Sequence, residues 1–392
     1  MNRFDVAIVG AGANGLYLGA SFAKLGLSVT VLERRVEPTR HSRAIGIHPP
    51  GLEALEEIGA AAALLDAGVH VQIGHATAGD TSRGLTHLGT LSFSDSLRGA
   101  WPFVLTVPQH RTEAVLEARL EEFAPAALHR GVEVLSWQER SDVVQLSCSD
   151  GVERSASLLV ACTGATPHPL AHRDVRTKGG RYGDTYLMVD VPQQAEHFGR
   201  GSVSPLPSDE ALIHLAPDGV VEAFPLPGKV RRWVAKTTHL QDPARAEDLA
   251  ELVAQRTGVT LDATQATMVS SFGVQRRLAT PLARGRVWLA GDAAHVVAPI
   301  GGQGMTLGWL GGRDLVSAWS GHLEGESTIE EACLRYDRQQ RRRTRQAMER
   351  AAWNLRMGRA TRTPALRSAI VRVLLREPFA TRMARVFTMQ EA

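Results

Sequence analysis

Phe4-Asp-Val-Ala-Ile-Val-Gly10-Ala-Gly12-Ala13-Asn14-Gly15 decides the fold of this chain. Residues 4–9 are apolar apart from Asp5 and run straight into closely spaced glycines, which predicts a buried strand ending in a tight turn. Residues 15–25 then carry Leu16, Leu18, Phe22, Ala23 and Leu25 at helical spacing, and Gly26 stops the helix. Ser28-Val-Thr-Val-Leu32 reads as a second strand finishing at Glu33. A strand, glycine loop, helix and strand in this order is the parallel unit of a doubly wound sheet.

Outward from that unit the pattern changes. Residues 45–68 read as helical, 71–107 as alternating strands, 109–124 as an amphipathic helix, and Leu158–Cys162 as a buried strand returning to the first sheet. Strand-like runs broken by Pro217-Asp-Gly219 and Pro227-Gly228 occupy 182–236, and Arg286-Val-Trp-Leu-Ala290 is again a short buried strand. The expected architecture is α/β. A Rossmann-type dinucleotide lobe is assembled from 1–70, 105–175 and 275–330. A mostly antiparallel lobe from 71–104 and 176–274 is inserted between its pieces, and 331–392 is helical. The arginine-rich run around Arg341-Arg342-Arg343 sits among Glu330, Glu331 and Glu349 and reads as a solvated helix face.

Composition narrows the class. The 392 residues are 44% hydrophobic and 22% charged, with a net charge of +3, which gives no reason to expect nucleic acid. Cys148, Cys162 and Cys333 are widely spaced, so neither a disulfide framework nor a zinc site is expected, and a reducing cytoplasm fits them. The opening strand is not a signal peptide, and no stretch has the roughly 20 apolar residues that a membrane span needs.

The glycine spacing carries chemistry. Gly10 permits the turn, Gly12 lets the backbone approach a pyrophosphate, and Gly15 lets the helix pack closely on the strand. The N–H groups of Ala13 and Asn14 stand at the positive end of the helix dipole. Glu33, 23 residues after Gly10 and followed by Arg34, is placed to accept ribose hydroxyls and disfavours a 2′-phosphate, leaving FAD or NAD. A second motif favours FAD: Gly291-Asp292-Ala-Ala-His295-Val-Val-Ala-Pro299-Ile-Gly301-Gly302-Gln-Gly304-Met305. A flavin extends well beyond its pyrophosphate, so Asp292 can accept from the ribityl chain and Pro299 can bracket a ring face. Backbone N–H groups about Gly302, Gly304 and Met305 can stabilise charge on the reduced ring. His295 reads as a structural histidine, with proton transfer or a phosphate contact as alternatives.

The two motifs, with Arg43 and Gln109 between them, resemble the class A flavoprotein monooxygenases of the para-hydroxybenzoate hydroxylase fold over almost the whole chain. The resemblance implies FAD-phosphate contact for Arg43, a place beside the flavin for Gln109, and a closing region at Tyr336 and Arg338. It also implies NADH or NADPH as reductant, O2 and a small organic molecule as substrates, and oxygen transfer through a flavin C4a-hydroperoxide. No side-chain nucleophile is then required. Phenols are the family's usual substrates, and polycyclic natural products are a further implied class. The chain is too short for the extra C-terminal domain of larger members.

Departures from the family pattern matter. Thr163-Gly164 stands where the family carries Asp-Gly, so Gly164 is kept and the carboxylate is not; Thr306 and Gly311 replace the usual Asn and Asp. These leave the reductant open, together with a reductase or epoxidase of the same fold and a flavin-binding partner protein without turnover. The halogenase signature Trp-x-Trp-x-Ile-Pro is absent. On the inserted lobe, Tyr186, His214, Phe224 and Trp233 are candidates for the substrate pocket.

Overall fold

A computed structural model describes residues 2–38, 44–82, 84–165 and 175–390. The opening strand Asn2–Val9 lies at the centre of the first sheet, parallel on one side to Arg154–Ala161 and on the other to Val29–Glu33. Val287–Leu289 and Leu128–Arg130 extend this parallel core outward. Both faces are covered, so the strands are near-continuous runs of buried residues, as in Val6-Ala7-Ile8-Val9 and Leu158-Leu159-Val160-Ala161. Helix Ala13–Lys24 packs on one face through Leu16, Leu18 and Phe22. A hairpin of Val134–Glu139 and Val144–Cys148 adds antiparallel strands to the edge of Arg154–Ala161.

The second sheet also has eight strands. In spatial order they are His295–Val296, Met268–Thr280, Arg176–Pro192, Val230–Thr237, Gly219–Leu226, Ala211–Ala216, Ile73–Asp80 and Gly84–Ser92. Every neighbouring pair is antiparallel except Ala211–Ala216 with Ile73–Asp80, which run parallel. The strand Met268–Thr280 continues through residue 275 and so stays with this sheet until its end. One face of the sheet packs on helix Ala246–Thr257, burying Leu187, Val189, Trp233, Leu249 and Val253. The other face looks towards the first sheet. The region read as one helical stretch, 45–68, is two short helices, Pro49–Glu56 and Ala61–Ala67, broken at Gly59.

Helix Gln303–Leu323 returns to the glycine loop: Trp309 donates from Nε1 to the Ala13 carbonyl at 3.2 Å. Helix Ile329–Gly358 opens with a reciprocal Thr328–Glu331 capping box and runs past both sheets. Near its start Tyr336 stacks on Trp288 of the first sheet; near its end Leu355 packs with Tyr186 and Val234 of the second. Two further helices, Pro364–Leu374 and Phe379–Phe387, follow. Among the described residues no helix is long and apolar enough to cross a membrane, and no group of three His, Cys, Asp or Glu is arranged to hold a metal.

Candidate active site

The opening strand delivers the chain to Gly10, whose φ of +106° is a conformation other residues rarely adopt. Its N–H bonds the Leu32 carbonyl at 2.8 Å, tying the turn to the second strand. A Cβ on Gly15 would stand 1.8 Å from the Gly10 carbonyl oxygen, so helix and turn touch at a distance only glycine allows. Gly12 differs. It caps helix Ala13–Lys24 with no side-chain hydrogen bond, and a Cβ there would meet only ordinary contact, Glu113 Oε1 at 3.8 Å.

Glu33 is buried at the end of the second strand. Its Oε2 accepts from the Ala11 N–H at 2.9 Å, and its Oε1 accepts from the Arg35 N–H at 2.9 Å and from Arg35 Nε at 3.2 Å. Burial alone would raise this carboxyl; the Arg35 and Ala11 N–H groups and the Arg35 guanidinium outweigh it and hold the group below its ordinary value. Glu33 is therefore an ionised acceptor fixed beside the loop. Arg35, not Arg34, supplies that contact, while Arg34 is exposed at the same cleft.

A single cavity of about 890 Å³ runs from Gly10, Gly12, Ala13, Asn14 and Gly15 past Gln109, Thr163 and Gly164 to the second motif. There Asp292, Pro299, Gly302, Gly304 and Met305 line it. Asp292 opens onto the cavity yet is encircled by protein, so burial pushes its carboxyl above the ordinary value and Arg277 only partly offsets this. Gly302, in left-handed conformation, caps helix Gln303–Leu323 without a side-chain partner, so a second uncapped helix start faces the same cavity. Asn14 joins the two motifs. Its side chain lies where a Cβ on Gly291 or Gly308 would stand, at 2.9 Å and 2.1 Å, and among the described residues its buried Oδ1 finds no hydrogen-bond partner.

Gln109 donates from Nε2 to Glu113 Oε1 at 2.8 Å, one turn along the same helix. Sequence reasoning missed Glu113, a cavity-lining carboxyl that burial pushes up. It also missed His48, buried beside the second motif with Nε2 2.9 Å from the Gly301 carbonyl; burial holds this imidazole down at about 4. His295 does not line the cavity. It is buried against Gln340, 2.6 Å away, which fits the structural role. Arg43 lies outside the described residues. The departures at Thr306 and Gly311 have packing reasons: Thr306 Oγ1 accepts from the His48 N–H at 3.2 Å, and a Cβ on Gly311 would meet the Gln340 amide at 2.5 Å.

The substrate candidates divide. Phe224 lines the cavity with Met188, Ile213, Val220, Val234 and Phe272. Trp233 and His214 do not, because they sit on the opposite strand face: Trp233 packs under helix Ala246–Thr257 and donates to Glu196 at 2.8 Å, and His214 bonds Thr77 and the Gly79 carbonyl. Tyr186 is fully buried against Phe272 and does not reach the cavity surface.

This donor set suits a long dinucleotide: two uncapped helix starts, a fixed carboxylate, and a glycine turn whose open side a Cβ would fill. A family model described as FAD binding domain matches residues 3–351. The chain belongs to that family. Rifampicin monooxygenase from Rhodococcus hoagii is 30% identical over 311 residues, covering 78% of this chain and 61% of that protein. The 6-methylpretetramide 4-monooxygenase of Streptomyces rimosus is 32% identical over 315 residues, covering 78% and 53%. The chain spans about three fifths of the length of the first curated relatives it matches. Among solved structures, the anhydrotetracycline hydroxylase of Streptomyces rimosus aligns with TM-score 0.78 and 25% identity, over all of this chain and 76% of the other. The p-nitrophenol 4-monooxygenase of Pseudomonas putida DLL-E4 aligns with TM-score 0.82 over 100% and 98% of the two chains at 19% identity, a likeness of fold. The candidate site thus lies on a chain of the FAD binding domain family.

Proposed function

We propose that this chain is an FAD-dependent monooxygenase that places one oxygen atom from O2 on an aromatic or polycyclic small molecule, with NADH or NADPH as the reductant. The observation that carries the reading is the continuity of the cavity: the space beside the glycine loop and the second motif opens directly onto the apolar wall of the second sheet. Residues 1–70, 105–175 and 281–330 act in this reading as the cofactor lobe, and 71–104 with 176–280 shape the substrate space. The relatives' own activities, a 6-methylpretetramide 4-monooxygenase and an anhydrotetracycline hydroxylase, support a phenolic or polycyclic substrate. The three free cysteines fit a reducing, cytoplasmic setting.

Bound FAD supplies the redox chemistry, taking electrons from the reductant and delivering them to oxygen. The chain's own residues bind, orient and shield. Glu33 would hold the ribose, and the Gly12 turn would present N–H groups to the diphosphate. The helix start at Gly302, which has no side-chain cap, would offer N–H groups to a negatively charged part of the cofactor. Met188, Ile213, Val234 and Phe272 keep water from the substrate side. The test is a visible spectrum of the purified protein, anaerobic addition of NADH or NADPH, and then ¹⁸O2 with a panel of phenols. A flavin spectrum that bleaches with reductant, followed by one ¹⁸O atom in the product, is expected. Reoxidation that leaves no ¹⁸O in any phenol would point to a reductase or oxidase, and a protein that binds no FAD would sink the reading of both motifs.

A further inference from the structure

The strand Gly219–Leu226 lies in the interior of the second sheet, between Ala211–Ala216 and Val230–Thr237. Alternation turns Val221 and Ala223 into the core beneath helix Ala246–Thr257 and turns Val220, Glu222 and Phe224 to the cavity. Glu222 is only 6% exposed, and its register partners are Ile213 and Val234, both apolar and both on the cavity wall. Among the described residues it makes no hydrogen bond and no ion pair. The other charged groups nearby on this wall are spoken for. Arg232 is held bidentate by Asp190, at 2.7 and 2.8 Å, and His75 is paired with Glu210. The phenol of Tyr186, on the neighbouring part of the sheet, is buried with no hydrogen-bond partner among the described residues and is pushed up by burial first and by Glu222 second.

A buried carboxyl with no protein partner costs free energy unless something else satisfies it. Every other group in its immediate register is a hydrocarbon, so the missing partner must enter through the cavity.

We propose that Glu222 is the polar anchor of the substrate pocket, and that it takes a flat apolar aromatic presenting a phenolic hydroxyl to this carboxyl. The inference deepens the oxygenase reading and rests on it for the aromatic substrate. A phenolic hydroxyl suits the position because it both donates and accepts, so it pairs with the carboxyl in either protonation state. Burial, the one influence on Glu222, raises it to about 7, so both states are within reach near neutrality. The apolar flanks given by Met188, Ile213, Val220, Val234 and Phe224 accept the ring.

The test is isothermal titration of FAD-loaded wild type, Glu222→Gln and Glu222→Leu with 2-naphthol, naphthalene and 2-(aminomethyl)naphthalene. Wild type should bind 2-naphthol, and Glu222→Leu should weaken that binding by about ten- to a hundredfold. Glu222→Gln, which keeps a hydrogen-bonding amide, should fall between them, and naphthalene should bind Glu222→Leu at least as tightly as wild type. Equal 2-naphthol affinity in wild type and Glu222→Leu would overturn the proposal, as would no binding to wild type. Tighter binding of the ammonium probe than of 2-naphthol would overturn the phenol assignment. Flavin absorbance after the FAD-loading step reports separately on the functional reading: protein that takes up no flavin yet still discriminates 2-naphthol through Glu222 overturns that reading and leaves the anchor standing.

Discussion

His214 shows what a buried titratable group does when chemistry does not use it. Its Nε2 lies 3.1 Å from the Gly79 carbonyl, which can only accept, so Nε2 carries the proton and Nδ1 accepts from the Thr77 hydroxyl at 2.8 Å. Both ring nitrogens are satisfied in the neutral form, and burial holds the folded imidazole at about 4 against an ordinary 6.5. The folded pKa lies below the unfolded one. The unfolded chain therefore binds the proton first as pH falls, and the stability from the neutral ring is complete above about 6.5 and is lost towards 4. At pH 5 the loss amounts to about 2 kcal/mol for this one residue. We expect His214→Gln to be clearly destabilised at pH 7.5 and much closer to wild type at pH 5. Urea denaturation of both proteins at the two pH values measures this; an equal gap at both would show that His214 does not titrate in this way. His48 and His295, also held at about 4 by burial, add to the same acid sensitivity.

The strand–loop–helix unit makes two demands on glycine that can be separated by experiment. At Gly15 the demand is internal, because a Cβ would collide with the Gly10 carbonyl. At Gly12 it is external, because the structure itself has room for a Cβ. Gly15→Ala should lose about 2 kcal/mol of stability together with FAD binding. Gly12→Ala should melt like wild type and bind FAD at least about tenfold more weakly, the methyl group intruding where the diphosphate approaches. Thermal melts with flavin titration distinguish the two, and normal FAD affinity in Gly12→Ala would remove the phosphate role from this turn. This unit was legible in the sequence because its signals are local: an apolar run, glycines at fixed offsets, one helical period, then Glu33. The hairpin Val134–Glu139 and Val144–Cys148 was not, since its first strand is largely exposed and lacks a clean alternation. The substrate wall was legible only as strands. Both faces of Gly219–Leu226 are buried, so hydrophobicity does not say which face meets the cavity. Trp233 and His214 fell on the wrong side of that choice. The lone carboxyl in Val220-Val221-Glu222-Ala223-Phe224 was the available signal, because an acid within an apolar run marks a position with a special partner.

At the scale of the whole molecule, the two sheets share one cavity that the C-terminal helices close. Trp353, Asn354 and Met357, near the end of Ile329–Gly358, line it, as do Val371 and Leu374 from the next helix. Two arginines fasten this closure to the second sheet. Arg359 grips Asp184 with contacts at 3.0 and 2.6 Å, and Asp184 also meets Lys236 at 3.4 Å. Arg367 is buried and donates to four carbonyls: Met357 and Arg359 at the helix end, and Leu215 and Ala216 at the end of a cavity-wall strand. One guanidinium thus ties the turn between two helices to the sheet. Replacing it with a side chain of similar length and no donors leaves those carbonyls short of partners, which costs about 3 kcal/mol. The consequence for binding should be one-sided. Arg367→Met should loosen the helix that carries Val371 and Leu374, so aromatic ligands bind more weakly, by about tenfold. FAD affinity should hold, since Glu33 and the Gly12 turn belong to the first sheet. Arg372→Ala, on the exposed side of the same helix, is the control and should change neither. Parallel titrations with FAD and with 2-naphthol decide the point. If Arg367→Met lost both ligands together, the fastening would support the whole fold, whereas loss of the aromatic alone makes the C-terminal helices a wall of the substrate space.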